Sequence, residues 1–434
     1  MLSRNIKRYF NNKRVSVSML STLLVTVLFI CGCTIFKMGP LFLSGTFEKQ
    51  NFKSEVRCEF RRGLFIIPVK INNGNKSYRF IFDTGASFNV ISSEIAVELG
   101  LKPKAKSGIS DAARLRRKLE FVKIKDIEIG GLHFSNTAAA ILDLVEIPEL
   151  KCYAADGVVG MNLIRLAPIW QIDFPGQKMI ITDDRNLETN SENSYKISFK
   201  PNIQRIPVIK VAIAGHKGMT LIVDSGYTGG LTGSMKQWET LRKSDPGVSY
   251  IKRYGEVCGG ALGKKVGIAY TIKTKALKIG EWKPEVVTID FLKNIKPKAG
   301  TALFKNSIFT LNWADKHIRV TVPPGYSPQA GLYSFGFGFG YQKEGQYLYI
   351  SYLYEDSSAP DAGIKIGDKI VAINKKNLCP LTFEQYCSYF FHPALLLGDG
   401  NTLVVDIDRE GKRINVILEK REFLPGIDEV GDGT

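Results

Sequence analysis

Histidine is scarce in this chain. Its four copies among 434 residues are scattered, which leaves a histidine-based triad or a histidine-ligated metal centre without its usual material. Cysteine is sparse and poorly spaced. Beyond Cys31 and Cys33 there remain Cys58, Cys152, Cys258, Cys379 and Cys387. Five is an odd number, and no two close pairs stand at zinc-ligand spacing. Cys379 and Cys387 are the nearest pair, but nearness alone fixes no pairing. No long basic run interleaved with aromatics exists, although the formal charge is +17. Arg4, Lys7, Arg8, Lys13 and Arg14 supply five of those charges before residue 33, so +12 remains without that segment, spread in short clusters such as Arg114–Lys118. Nucleic acid is therefore not an expected partner. A solvated basic face or attraction to an anionic membrane is the better expectation.

Charge is absent altogether from Val15 to Phe36. Behind the basic residues 1–14, this run has the layout of a secretory signal, and it is long enough to span a bilayer as a retained anchor. Ile30-Cys31-Gly32-Cys33 resembles a bacterial lipobox, with Cys33 as the lipidated residue and Cys31 where Ala or Ser is usual. Every one of these outcomes exports the rest of the chain, because positive charge stays inside. The expected location is extracytoplasmic, anchored to a membrane through residues 1–36.

A chain of this length suggests about three domains. A hydrophobic content of 44% with 23% charged residues argues against general disorder. Residues 37–60 read as a tether. From Leu64 the pattern is β-rich: an apolar run to Ile71, a turn at Asn72-Asn73-Gly74-Asn75, and a second run from Tyr78 to Phe82. Ser92–Leu99 reads as a short helix capped by Ser92 or Ser93. A basic stretch, Lys102–Lys118, precedes a hairpin over Phe121–Gly131. Strands at Ile169–Phe174 and Lys178–Thr182 follow, and Asp183–Ser194 is polar enough for a linker.

The same order then returns. Arg205–Val211 matches the first strand, Gly215-His216-Lys217-Gly218 the turn, Tyr270–Gly280 the later hairpin, and Phe309–Trp313 with Ile318–Val322 the closing strands. The repeat is about 140 residues long, and a repeated order of elements is harder to reach by chance than a three-letter motif. It divides the chain into 61–194 and 195–325, with a third unit at 326–434 ending in an acidic tail from Pro425.

Each copy carries an apolar run that ends in an aspartate: Phe80-Ile81-Phe82-Asp83-Thr84-Gly85-Ala86-Ser87, then Leu221-Ile222-Val223-Asp224-Ser225-Gly226-Tyr227-Thr228. One such turn is ordinary loop chemistry. Two, at the same place in a repeat, point to a paired site. Carboxylates within hydrogen-bond distance do not both ionise easily, so the pair shares a proton over a broad pH range; the dyad of the aspartic proteases is the familiar case of this effect. One carboxylate then takes a proton from water while the other gives one to a carbonyl oxygen. Gly85 and Gly226 let the backbone turn tightly. Thr84 and Ser225 are suited to cross-bracing the two loops, and Ser87 and Thr228 to donating to the outer carboxylate oxygens. No metal or other cofactor is needed.

On these residues, 63–322 resembles a two-lobed aspartic protease of the pepsin and retropepsin-like clan, in a bacterial form. The family's later motif of two apolar residues and a glycine is matched by Val158-Val159-Gly160, which the resemblance implies packs under the Asp loop. In the second lobe Leu303-Phe304-Lys305 stands at the expected place, with lysine for glycine, and Tyr227 replaces a small residue. By position the flaps fall at 106–121 and 255–269. Residues 331–422 resemble a PDZ domain. Gly336-Phe337-Gly338-Phe339-Gly340 is similar to its carboxylate-binding loop, and Ser357–Ile370 to its Ser-x-Ala-x-x-Ala-Gly-apolar-x-x-Gly-Asp-x-Ile segment. The resemblance implies a mainly β chain: two duplicated protease-like β lobes, then a PDZ β-sandwich or barrel with short helices.

The expected function is a membrane-tethered aspartic endopeptidase. Its partners would be a polypeptide substrate and a peptide or protein C-terminus held at the PDZ domain. The competing expectation is a non-catalytic peptide-binding adaptor or chaperone on the same scaffold. An ammonium or guanidinium beside the aspartate pair would favour it; retention of both acids disfavours it.

Overall fold

The structure is a computed structural model that describes residues 38–188, 192–213, 218–275, 277–324 and 332–424. Residues 1–36 with Cys33, positions 214–217 of the second turn, and the tail from Pro425 lie outside them. No helix among the described residues is long and apolar enough to cross a membrane. The chain is mainly β, as the strand-like patterning implies.

The first lobe is an eight-stranded sheet. Leu64–Ile71 and Tyr78–Phe82 pair antiparallel, with Ile66 opposite Ile81 and Val69 opposite Tyr78. Both strands are apolar on both faces, and most of their side chains are buried. Asn72 and Asn73 turn the hairpin with φ of 53° and 58°, the left-handed conformation that Asn tolerates and tight hairpins require. The short helix is Ser93–Glu98, capped by Ser92, whose side chain accepts from the Ile95 N–H.

The repeat is visible in the pairing. Tyr78–Phe82 runs parallel to Gly157–Val159, and Asn89–Ile91 runs antiparallel to that strand and parallel to Leu132–Ile141. In the second lobe Met219–Val223 runs parallel to Lys298–Ala299, and Leu231–Ser234 runs antiparallel to it and parallel to Val287–Leu292. In both lobes a strand from late in the repeat is laid beside the strand that ends in aspartate.

A six-stranded sheet joins the lobes, with Ile169–Asp173 against Ile308–Asn312 at its centre, Trp170 opposite Leu311. Its outermost strands are Lys53–Arg57 and Ser194–Ser198. This corrects the expectation that 37–60 is only a tether. Phe52 and Val56 are buried while Lys53, Glu55 and Arg57 face outward, so one polar face of an edge strand reads as linker.

The C-terminal unit has its own core, which includes Leu348, Ile350, Ile370, Tyr386, Leu403 and Val405. It is fastened to both lobes. Its strand Tyr347–Tyr354 pairs antiparallel with Tyr250–Gly260, Arg253 opposite Tyr354 and Gly255 opposite Tyr352. One sheet therefore continues from the second lobe into this unit. Gly255 has φ +112°, and a Cβ there would meet the Ser351 carbonyl oxygen at 2.5 Å, so the junction requires glycine. On the other side Cys152 of the first lobe is disulfide-bonded to Cys387 on the helix Phe383–Phe391. Cys58, Cys258 and Cys379 are free. Arg61 and Arg62 each lie 4.1 Å from the ring centroids of Phe391 and Phe390, in that order.

The disulfide spans 235 residues of chain. Replacing both cysteines by serine is expected to lower stability by about 2–4 kcal/mol, because the unfolded chain regains the entropy of an open loop. Differential scanning calorimetry checks this; an unchanged thermal transition would show that the non-covalent contacts hold the unit alone.

Candidate active site

The two aspartates leave their strands in the same way. The Asp83 N–H donates to the Val159 carbonyl at 3.0 Å, and the Asp224 N–H to the Ala299 carbonyl at 2.9 Å. Each is thus held by the parallel strand beside it. Val158 and Val159 pair with Ile81 and Phe82. Gly160 approaches so closely that a Cβ would lie 2.4 Å from the Phe88 carbonyl oxygen. Its N–H donates to the side chain of Asn89, and the Asn89 N–H donates to Asn162.

The second-lobe counterpart is Lys298-Ala299-Gly300, not Leu303-Phe304-Lys305. Lys298 and Ala299 pair with Ile222 and Val223. Gly300 precedes the short helix Thr301–Phe304 as Gly160 precedes Met161–Ile164. The glycine is therefore present, and the departure lies in the first of the two apolar positions. The spacing from glycine to the next strand could have located it: Gly160 precedes Ile169, and Gly300 precedes Ile308, by nearly the same distance.

The turns grip each other reciprocally. The Thr84 N–H donates to Ser225 Oγ at 2.9 Å, and the Ser225 N–H to Thr84 Oγ1 at 3.0 Å. Thr84 Oγ1 donates to the Val223 carbonyl at 2.8 Å, and Ser225 Oγ to the Phe82 carbonyl at 2.8 Å. Both side chains are buried. Gly85 and Gly226 lie against the opposite lobe's acid: a Cβ on Gly85 would fall 2.4 Å from Asp224 Cγ, and one on Gly226 would fall 2.4 Å from Asp83 Cγ. The glycines are needed for this mutual approach as well as for the turn.

The Asp83 Oδ1 accepts from the N–H groups of Gly85 at 2.7 Å and Ala86 at 3.1 Å, and Asp224 Oδ1 from that of Gly226 at 3.1 Å. Burial pushes the Asp83 carboxyl up to about 7, the Asp224 charge adds to the rise, and the Gly85 N–H and the Lys298 ammonium oppose it. Lys298 is the residue that sequence reading missed. Its Nζ donates to Asp224 Oδ2 at 3.0 Å, and both residues are buried. The ammonium also lies 4.7 Å from the centroid of the Tyr227 ring.

Other expected residues sit elsewhere. Among the described hydrogen bonds, neither Ser87 nor Thr228 donates to a dyad oxygen. Asp224 Oδ2 is already occupied by Lys298, and Thr228 packs against Gly63. The flap positions form the hairpins Ala105–Ser110 with Arg116–Ile129 and Tyr250–Gly260 with Gly263–Thr274. They meet tip to tip, with the Leu262 N–H donating to Asp111 Oδ2 at 3.1 Å. Of the five residues likened to a carboxylate-binding loop, only Gly336, with φ +96°, lies outside a strand; Phe337, Gly338, Phe339 and Gly340 already belong to the strand Phe337–Gln342. Gly338 and Gly340 lie against the Tyr352 and Tyr349 rings, so there the glycines serve packing. A cavity of about 470 Å³ beside Cys152–Cys387, lined in part by Arg61, Lys151, Phe383 and His392, contains neither dyad residue.

A buried acid and a half-buried one in facing turns, the Asp83 carboxyl pushed up to about 7, form the core of an acid–base centre. Residues 67–163 match a family described as aspartyl protease. The match covers the Asp83 strand, its turn and the Val158-Val159-Gly160 segment, and it supports an aspartic protease-type function. It stops short of the second lobe, where the repeat and the reciprocal hydrogen bonds carry the comparison. No curated protein matches the chain.

Proposed function

We propose that the protein is an aspartic-type endopeptidase. In this reading a water held between Asp83 and Asp224 loses a proton to one carboxylate as its oxygen attacks a peptide carbonyl. The other carboxyl protonates the carbonyl oxygen; the proton taken from water then passes to the nitrogen, the C–N bond breaks as a hydroxyl of the tetrahedral intermediate returns its proton to the dyad, and the amine leaves. The observation that carries the reading is the reciprocal Thr84–Ser225 grip, which presents the Asp83 and Asp224 carboxyls face to face. A binding groove has no need for such an arrangement. The sequence features of residues 1–36 support an exported, membrane-tethered enzyme. The likeness of Ser357–Ile370 to a PDZ segment supports recruitment of a polypeptide at the C-terminal unit, where Phe337–Gln342 pairs on one side only among the described residues.

The test is peptide release from an unfolded protein, followed from acid to neutral pH. Asp83→Asn and Asp224→Asn are each expected to lower the rate by about 10²–10⁴-fold. Because Asp83 must carry its proton to act as the acid, the rate is expected to fall as pH rises through about 7. Undiminished release by both variants would overturn the reading.

Lys298 favours a second reading, a non-catalytic peptide-binding protein, since a buried ammonium at one acid is the feature expected of a retired dyad. Of the two acids it touches Asp224 alone, and the Asp83 carboxyl is still pushed up to about 7, which keeps the endopeptidase reading first. Binding of an extended peptide with no release at any pH would establish the second.

A further inference from the structure

Lys298 occupies in the second lobe the place that Val158 occupies in the first, since Ile222 pairs with Lys298 as Ile81 pairs with Val158. The repeat thus carries a charge on one side of its pseudo-symmetry and a methyl-bearing side chain on the other. Among the described residues its one ion pair is with Asp224, at 3.0 Å. The groups facing this region come from several elements. Asp83 approaches from the first lobe, Tyr227 from the turn, Cys258 from the hairpin, and Lys296 from the same segment. Asp111 and Arg114 act on Lys296, and Asp290 and Arg253 act on Tyr227. Among the described residues Asp224 is the acid in contact with the ammonium, and Asp83 feels its charge from the facing turn.

A buried cation touching one of two acids breaks their equivalence. The charge of Asp224 is compensated at contact distance, whereas Asp83 has only backbone donors on its Oδ1. We propose that Lys298 is a positioning residue that fixes the ionised half of the dyad on Asp224 and the single proton on Asp83. Granted the endopeptidase reading, which this proposal deepens, Asp224 is the base and Asp83 the acid. The water O–H bond breaks, its proton passes to Asp224, and the new O–C bond forms at the peptide carbonyl. The proton of Asp83 moves to the carbonyl oxygen. Lys298 exchanges no proton and contacts no substrate.

The assignment is testable without turnover. The full chain, labelled with ¹³C at the aspartate carboxyls, is titrated by NMR, with Asp83→Asn and Asp224→Asn identifying the two signals. Lys298→Val puts at this position the valine that opens Val158-Val159-Gly160 in the first lobe, Lys298→Met keeps the length, and Lys298→Arg keeps the charge. In the Val and Met variants the Asp224 titration is expected to move up by about one pH unit or more, the effect of losing an opposite charge at contact distance. In the Arg variant it stays near its original position. The acid limb of the pH profile for peptide release moves up with it. An Asp224 titration unmoved in both neutral variants overturns the proposal, whether or not peptide is released. A shifted titration in a chain that releases no peptide upholds the ionisation assignment and sinks the endopeptidase reading alone.

Discussion

Asp224→Asn is expected to cost about 3–5 kcal/mol of folding stability at neutral pH, a loss that Asp83→Asn does not share. The two substitutions are isosteric and fall at equivalent places in the repeat, so a purely local account gives them equal effects. They differ because Asp224 neutralises Lys298. With Asn in its place, a lysine that is 5% exposed must either keep a charge without a counter-ion or give up its proton, and both are costly. Asp83 leaves no such orphan, and its protonated carboxyl is close in shape and charge to the amide. Urea denaturation of the two variants measures the difference. Adding Lys298→Met to Asp224→Asn is expected to restore most of the loss, since removing both members of a buried pair is often nearly neutral. Equal stability of the two single variants would show that the pair is not an ion pair in solution.

A methyl group on either turn glycine is expected to abolish most activity while leaving the lobes folded. Gly85→Ala and Gly226→Ala each place a carbon 2.4 Å from the opposite aspartate's Cγ. Real side chains do not approach so closely, so the carboxyls or the turns must separate. A displacement of about 1 Å at reacting groups can lower the rate about 10²-fold. The control is Gly108→Ala, in the first hairpin, where nothing lies within 4 Å of the added carbon. Circular dichroism confirms the fold, and the rate of peptide release reads the effect. Full activity in Gly85→Ala would show that the acids need not meet as closely as the structure places them.

The aspartates, their supporting hydroxyls and the repeat are legible in the sequence because they depend on local chain chemistry. An apolar run must end where its strand ends, and a tight turn must carry a small residue. The partner segment in the second lobe is hidden by a change of chemistry. Two apolar residues and a glycine stand for burial beside the Asp strand, and at Lys298 burial is met by an ion pair instead of by hydrophobicity. A search for apolar letters therefore passes over it to Leu303-Phe304-Lys305. Lys53–Arg57 is hidden for the opposite reason: half its residues face solvent, and the alternation is too short to stand out. The Cys152–Cys387 bridge is out of reach because its closeness is created by the docking of a separate unit, which spacing along the chain does not encode. Thr228 has a hydroxyl at a plausible spacing, but Lys298 already takes the Asp224 oxygen it would serve, and nothing in the structure explains why Ser87 does not donate to Asp83.

The shared sheet also limits how the second hairpin can move. The second hairpin is paired at Arg253, Tyr254 and Gly255 with the strand Tyr347–Tyr354, and that unit is bonded covalently to the first lobe through Cys387. The hairpin cannot lift as a free loop. It either tears three rungs of a ladder or carries a whole domain with it, against a covalent leash on the far side. In the endopeptidase reading, admission of a peptide is then expected to follow the slow rocking of a lever, on the microsecond-to-millisecond scale of domain motion, instead of the faster flicker of a hairpin tip. A chain severed between Pro324 and Leu332 would keep that lever, since neither the ladder nor the leash passes through the cut.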